Sequence, residues 1–416
     1  MKMIKPYIPM NIPYIWRKCK EWPVKNVWRN TSGSVFLPLT FSPSWIYSSH
    51  HFSFSPKSMQ LSCIKTIDFY VSVIDNYGDM GFAVNLVESL HARYPSMFFR
   101  FFSDDEDLFQ IFFPGGKPIW IEYYSLETLA QDNPPLPSSL IFSFFDYKIS
   151  QNYLIQFHFP KTIVVFSYFV LHEGLESLHG TKYTLENGQD TMMHFVPSLL
   201  SGGWGVIVNP LVEAEKEISA QKTQTGARKS FLKQIGYNET SNDTREQKWI
   251  SIFAYQDTLE QILEVIAMDE SDMIFWICGN PLWIEESSRI RILPFLSMVD
   301  YGVFQSLCDA NVVRGENSLC QALISGKPAL WDIYKESNWA HSEKIEDYLV
   351  FLETQFPAKD WSEYAQMMRG FNGWDKKRAF SDFVSWYAGY GDIFRKLWEY
   401  TKSECDLIEK LEKILA

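Results

Sequence analysis

From Ile67 onward, short apolar runs alternate with longer stretches of helical period, and that alternation sets the first expectation about the fold. IDFYVSVI, Ile67–Ile74, is rich in β-branched and aromatic residues and predicts a strand. A Gly-containing turn follows, then FAVNLVESLHARYP, whose apolar positions recur at helical spacing. FFRFFSDD predicts another strand with a capping Asp. SLIFSFFD and TIVVFSYF are short apolar runs suited to buried parallel strands. A second series opens at WISIFAY and runs through the helix DTLEQILEVIAM and the strands DMIFWICG and RIRILPFL. It continues with the helix YGVFQSLCDA, the strand NVVRG, the helix SLCQALISG and the strand KPALWDIY. Each series has the βαβ grammar of a Rossmann-like domain.

The predicted organisation is therefore α/β: a first Rossmann-like domain over 67–212, a polar and charged linker region over 213–248, and a second such domain over 249–375. Residues 376–416 have helical period throughout, with (i, i+4) pairs such as Glu404–Ile408 and Glu409–Lys413 marking faces. Residues 1–60 are Ser-, Pro- and aromatic-rich with neither period. A targeting segment would need an apolar core and a cleavage site that this stretch lacks, so a poorly ordered extension is the plainer reading. A chain beginning at Met59 is then expected to keep its activity.

Composition narrows the function classes. A length of 416 residues suits two domains, and 46% hydrophobic residues describe a soluble globular protein. Aromatics at 16% are read mostly as core material. No uncharged apolar run reaches the roughly 18 residues of a membrane span. The six cysteines form no CxxC and no His/Cys cluster, which points to neither a zinc site nor a disulfide framework and fits a reducing cytoplasm. A net charge of −12 argues against sequence-independent nucleic-acid binding. That charge is uneven: residues 1–60 carry eight Lys/Arg and one acid, Glu21, leaving 30 basic against 49 acidic residues in the body. An acidic body suits a basic acceptor surface, though solubility alone also explains it.

In open α/β sheets, ligands bind where strand ends lead into helices, so two such loops carry the candidate chemistry. The first, DNYGDMG, holds Asp75 and Asp79 with Gly78 and Gly81 but lacks the G-x-G-x-x-G fingerprint, so it offers little for a dinucleotide. By itself it reads first as turn chemistry with Asp79 as the helix cap. The second is NVVRGENSLCQALISGKP. Gly315 makes the turn, Asn317 or Ser318 can cap the helix, and the helix end with Arg314 is suited to a diphosphate. Glu316 repels an anion unless it faces a hydroxyl or a cation. A capped helix with a surface Arg–Glu pair is the simpler alternative. The acidic run SDDEDLF is read as a helix cap complementing the dipole, with no metal expected.

Taken together, IDFYVSVIDNYGDMG, the LPFL segment, RGENS and GKPALWDIY resemble the bacterial protein-arginine rhamnosyltransferases that modify elongation factor P, over a span from about Ile67 to the C-terminus. The resemblance implies a GT-B architecture, an acceptor-binding first domain and a nucleotide-sugar-binding second one facing each other across a cleft. It also implies dTDP-β-L-rhamnose as donor, inversion of the anomeric centre, and no metal or cofactor. Carried over by position, it puts catalytic roles on Asp75, Asp79 and Glu316. Donor contacts fall on Asn76, Tyr77, Gly78, Tyr255, Phe295, Arg314, Asn317 and Ser318, with Phe295 stacking on the base. Asn317 stands where the family usually has aspartate, and Met298 where a glutamine helps hold the thymine. The implied partners are elongation factor P and the nucleotide sugar in the cytoplasm, with no nucleic acid and no membrane. Two carboxylates suit an arginine acceptor, one to grip the guanidinium fork and one, with Asp79 preferred, to take its proton. The readings left open are a GT-B transferase with another donor or acceptor, and a non-catalytic binder of the elongation factor.

Overall fold

The structure is a computed structural model. It describes residues 59–73, 76–145, 147–172, 178–200, 205–237, 247–279, 281, 283–335, 340–356 and 361–416. The expectation for residues 1–60 therefore lies outside the described residues apart from Met59 and Gln60.

The first sheet has seven strands: β1 Thr66–Val71, β2 Phe98–Ser103, β3 Ile121–Ser125, β4 Leu140–Phe144, β5 Thr162–Phe166, β6 Lys182–Thr184 and β7 Thr191–Phe195, in the order β3-β2-β1-β4-β5-β7-β6. All neighbours run parallel except β6 against β7. Strand β1 enters helix α1, Asn76–Arg93, and the smaller helices α2, Glu106–Ile111, and α3, Gln151–Leu154, follow β2 and β4. The aromatic content is spent largely on this core. The Phe69 ring lies 5.0 Å from Phe101, 5.2 Å from Phe142 and 5.4 Å from Phe144. Such edge and stacked pairs add to the burial of their large apolar area.

The second sheet contains β8 Lys248–Ile252, β9 Met273–Ile277, β10 Ile290–Ile292, β11 Ala310–Arg314 and β12 Ala329–Asp332, in the order β10-β9-β8-β11-β12 and parallel throughout. Its connecting helices are α6 Gln256–Met268, α7 Met298–Leu307 and α8 Gly315–Ser325. Both sheets are doubly wound, and their order reverses beside β1 and beside β8, which puts the loops after β1, β8 and β11 at switch points. This is the two-domain, cleft-forming α/β architecture that the strand–helix alternation predicts.

The polar stretch 213–248 is more than a connector. It contains most of α4, Pro210–Ala220, and all of α5, Gln224–Gln234, while residues 238–246 lie outside the described set. Few apolar positions suffice to dock them: Val212, Ala227, Phe231 and Leu232 are buried in one cluster with Trp249, Trp276 and Phe304 of the second domain. Averaged polarity hides such a sparse stripe.

The C-terminal segment also divides. After α9 Ala340–Gln355 and α10 Trp361–Asn372, helices α11 Lys376–Trp386 and α12 Gly391–Glu404 bury Phe380, Phe383, Phe394 and Leu397 in the second domain's core. Helix α13, Leu407–Leu415, instead buries Leu407, Ile408, Leu411 and Ile414 in the first domain's core. The break at Cys405–Asp406 means that Glu404 and Ile408 share no helix face, unlike the sequence expectation; Glu409 and Lys413 do share one. The return is tied down where Val206 N–H donates to Cys405 O at 2.7 Å and Leu407 N–H to Val206 O at 3.0 Å. Gly205 allows it: its φ is +77°, and an added Cβ would lie 2.1 Å from Cys405 O. Among the described residues no helix is long and apolar enough to cross a membrane.

Candidate functional site

A cleft of about 220 Å³ opens between the two sheets' switch-point loops. Its first wall is the start of α1. Asp79 sits in the first turn of that helix, 2% exposed and lining the cleft. Its expected partner Asp75 lies outside the described residues, and Asn76 is the first residue of α1. Tyr77 and Gly78 also line the cleft. Helix α1 is pinned from below by Asn85, whose Oδ1 accepts from Asn209 Nδ2 at 2.9 Å, joining it to the residue that caps α4.

The second wall is the end of β11 and the start of α8. Arg314 lies with its guanidinium carbon 4.2 Å from the centre of the Phe253 ring and 5.2 Å from that of Tyr255. Its Nη1 donates to Ala254 O at 3.4 Å. Two rings and a carbonyl from the β8 loop thus set the plane of this cation. Gly315 follows at φ +70° with nothing near a would-be Cβ, so the backbone conformation requires glycine there, not crowding. Helix α8 then starts without a side-chain cap. Asn317 and Ser318, expected as caps, stand inside the first turn instead, because the helix begins at Gly315, directly after the end of β11 at Arg314. Gly315, Glu316, Asn317 and Ser318 line the cleft, and the N–H groups of a first turn without a side-chain cap are suited to an anion.

Glu316 finds the cation that its position demands. Lys344 of α9 places Nζ 3.0 Å from its Oε1. Nothing local marks Lys344 in the sequence, 28 positions away. Tyr255 is held through its backbone: its N–H donates to Asp332 Oδ2 at 2.9 Å, while Thr258 Oγ1 and Lys376 Nζ meet Asp332 Oδ1 at 3.0 and 3.2 Å. Burial raises the Asp332 carboxyl above its ordinary value and lowers Lys376, and their mutual attraction opposes both shifts. Tyr301 of α7 also lines the cleft. Burial holds its phenol well above the ordinary value, so it stays protonated.

The two walls touch. A Cβ placed on Gly81 of α1 would stand 3.5 Å from Asn317 Nδ2 of α8 and 3.3 Å from the Phe112 ring. Tyr77 of the first domain packs 5.5 Å from Phe295 of the second, and Phe112 lies 5.4 Å from Phe295 edge-on. Three rings from the two domains thus meet in the cleft's lining, and Met298 adds a buried apolar side chain to it. Of the residues expected to act, Tyr77, Gly78, Asp79, Tyr255, Phe295, Arg314, Glu316, Asn317 and Ser318 all line this single cleft.

The acidic run after β2 serves local structure. Asp105 accepts from Leu108 N–H at 2.8 Å as the cap of α2. Asp104 accepts from Ser72 Oγ and Val73 N–H at 2.8 and 3.0 Å, bracing the end of β1. His179 accepts from Val196 N–H through Nδ1; burial pushes its pKa down to about 2, leaving it neutral. Sequence reasoning passed over Phe82, Phe145 and Tyr168, which line the first domain's side of the cleft. Phe145 and Tyr168 stand near the ends of the runs SLIFSFFD and TIVVFSYF, and Phe82 opens the helical run FAVNLVESLHARYP; position at a strand's carboxyl end is the linear signal of the first two.

Residues 67–416 match the family model described as Elongation-Factor P (EF-P) rhamnosyltransferase EarP. The chain is 25% identical over 312 residues to a protein-arginine rhamnosyltransferase of Pseudomonas putida, covering 68% of this chain and 81% of that one. It is 24% identical over 352 residues to the protein of that name from Pseudomonas aeruginosa, covering 78% and 87%. A solved structure reported as the structural basis for EarP-mediated arginine glycosylation of translation elongation factor EF-P shares the fold, with a TM-score of 0.52 and 20% identity. That match covers 83% of this chain and 97% of the other.

Proposed function

Because the chain belongs to the EarP family of elongation-factor P rhamnosyltransferases, we propose that it transfers L-rhamnose from dTDP-β-L-rhamnose to an arginine of elongation factor P, inverting the anomeric carbon. The supporting observation is that Asp79 and Arg314, one from each domain, line the same cleft.

An arginine side chain is a poor nucleophile, since its guanidinium stays protonated and its lone pairs are delocalised. In this reading Asp75 and Asp79 grip the guanidinium, and Asp79 takes the proton from the attacking nitrogen as the C–N bond forms. The bond from C1 to the diphosphate oxygen breaks, and its electron pair leaves with dTDP. One displacement inverts C1 and needs no enzyme nucleophile. Arg314 and the first-turn amides of α8 meet the charge that develops on the diphosphate, already oriented by Phe253, Tyr255 and Ala254 O. Ser318 and Asn317 border the same anion, and Glu316, neutralised by Lys344, is free to accept from a sugar hydroxyl without repelling the phosphates. The base stacks at Phe295, where Met298 offers apolar contact. Tyr77, Asn76 and Gly78 border the sugar. The reading calls on no metal or cofactor beyond the donor and assigns the reaction to the cytoplasm.

Incubation of the full chain with dTDP-β-L-rhamnose and elongation factor P, followed by mass spectrometry of the factor, tests it. The expected result is a gain of one deoxyhexose on an arginine. A factor of unchanged mass, or sugar on a different residue type, overturns the proposal.

A further inference from the structure

Phe145 carries the one positive φ among the described non-glycine residues, +51°. A bulky side chain in that region is strained and persists only where the surroundings enforce it. The residue follows β4, and its N–H donates to Phe166 O of β5 at 2.9 Å, which holds the turned backbone at the sheet's carboxyl end. The consequence is the placement of its ring. Phe145 lies 5.7 Å from Phe82 and stacks on Tyr168 at 4.7 Å and 25°. Phe82 is one helical turn beyond Asp79 on α1. Phe145 itself is buried, whereas Tyr168 is 38% exposed and lines the cleft. A continuous aromatic ledge therefore runs from the α1 turn that follows Asp79 to the partly exposed ring of Tyr168, in the domain opposite Arg314.

We propose that this ledge, with Tyr168 as its contact surface, is the subsite that receives the planar guanidinium of the acceptor arginine. The inference rests on the functional reading above and adds the residue that recognises the acceptor side chain. A guanidinium is weakly hydrated and planar, and stacks on an aromatic face while its edge donates to a carboxylate. The same cleft already contains one such arrangement, Arg314 over Phe253 at 4.2 Å. Stacking on Tyr168 leaves the nitrogens in the plane of the fork, with Asp79 at one edge and the sugar carbon at the other. A lysine ammonium has no plane to stack, so the ledge also selects arginine. The strained backbone at Phe145 supplies the rigid support beneath Tyr168.

Steady-state transfer to elongation factor P by full-length Tyr168→Ala and Tyr168→Phe tests the inference, with folding checked by thermal melting. Tyr168→Ala is expected to raise KM for the factor by about tenfold and to leave KM for dTDP-β-L-rhamnose unchanged. Tyr168→Phe, which keeps the face, should recover most of the acceptor KM that Tyr168→Ala loses. An unchanged acceptor KM in Tyr168→Ala, an equal loss in both variants, or a shift confined to the donor overturns the ledge alone. A wild-type chain that leaves the factor unmodified overturns the functional reading and the ledge with it.

Discussion

Lys344 Nζ stands 3.0 Å from Glu316 Oε1, so the carboxylate nearest the start of α8 meets the cleft already paired with a cation. With the donor placed as proposed, removing that cation leaves its diphosphate beside an uncompensated negative neighbour. Lys344→Ala is expected to weaken dTDP binding severalfold, about 0.5–1 kcal/mol for a half-exposed pair, and Glu316→Gln in the same chain should restore it. Calorimetry at low and high salt checks both points, since the loss must shrink as salt screens the charge. An affinity indifferent to Lys344 would remove it from the donor site.

Asp79 is buried at the start of α1 and lines the cleft. Asp79→Asn keeps the shape and a hydrogen-bonding oxygen but removes the proton acceptor. The expected outcome is donor affinity close to wild type with transfer lost by at least about a hundredfold, the usual scale for a general base. Turnover near the wild-type rate ends the assignment.

Arg314 is oriented by the Phe253 and Tyr255 rings. Arg314→Ala should weaken dTDP by roughly 1.5–3 kcal/mol, the worth of a charge-assisted hydrogen bond. Arg314→Lys should recover only part of this, because an ammonium neither stacks on Phe253 in the same plane nor forks toward two phosphate oxygens. Equal affinity of all three chains, measured by calorimetry, would show that the diphosphate binds elsewhere.

Glu88 of α1 has its Oε2 shut off from solvent, and Asp300 of α7 faces it from the other domain. Burial, with a smaller contribution from Asp300, pushes its pKa up from 4.5 to about 8. The folded chain then holds a proton that the unfolded chain releases near 4.5, so stability falls as pH rises from about 4.5 to about 8 and levels off above that. Glu88→Gln removes this loss. The gap in melting temperature between variant and wild type should widen steadily from pH 5 to pH 8; a constant gap would place the titration elsewhere.

Much of the architecture was legible before any coordinates because it is written in local periods. The runs at β1, β4, β5, β8, β9 and β11 carry the alternation of buried strands and amphipathic helices, and the described strands fall within or beside each predicted run. The turn chemistry at Gly315 and the acidic cap at Asp105 are local for the same reason. Elements whose signal is sparse were misread: α4 and α5 bury only a few apolar residues, so the polar average suggested a linker. Asn317 and Ser318 do not cap because the helix follows β11 without a gap, at Gly315, and letters alone do not report where a strand gives way to a helix.

What the chain determined by itself was the inventory: two doubly wound sheets, an acid-bearing loop and a cationic loop at strand ends. Hydrogen-bond period and burial period act over a few residues and so leave their mark in the order of letters. What tertiary structure decided was every pairing between remote positions. Lys344 meets Glu316, Tyr168 stacks on Phe145, Tyr77 packs on Phe295, and α13 returns to the first domain's core. Those meetings depend on which apolar faces dock on which, and many faces are equally apolar. Only packing the whole chain at once selects among them.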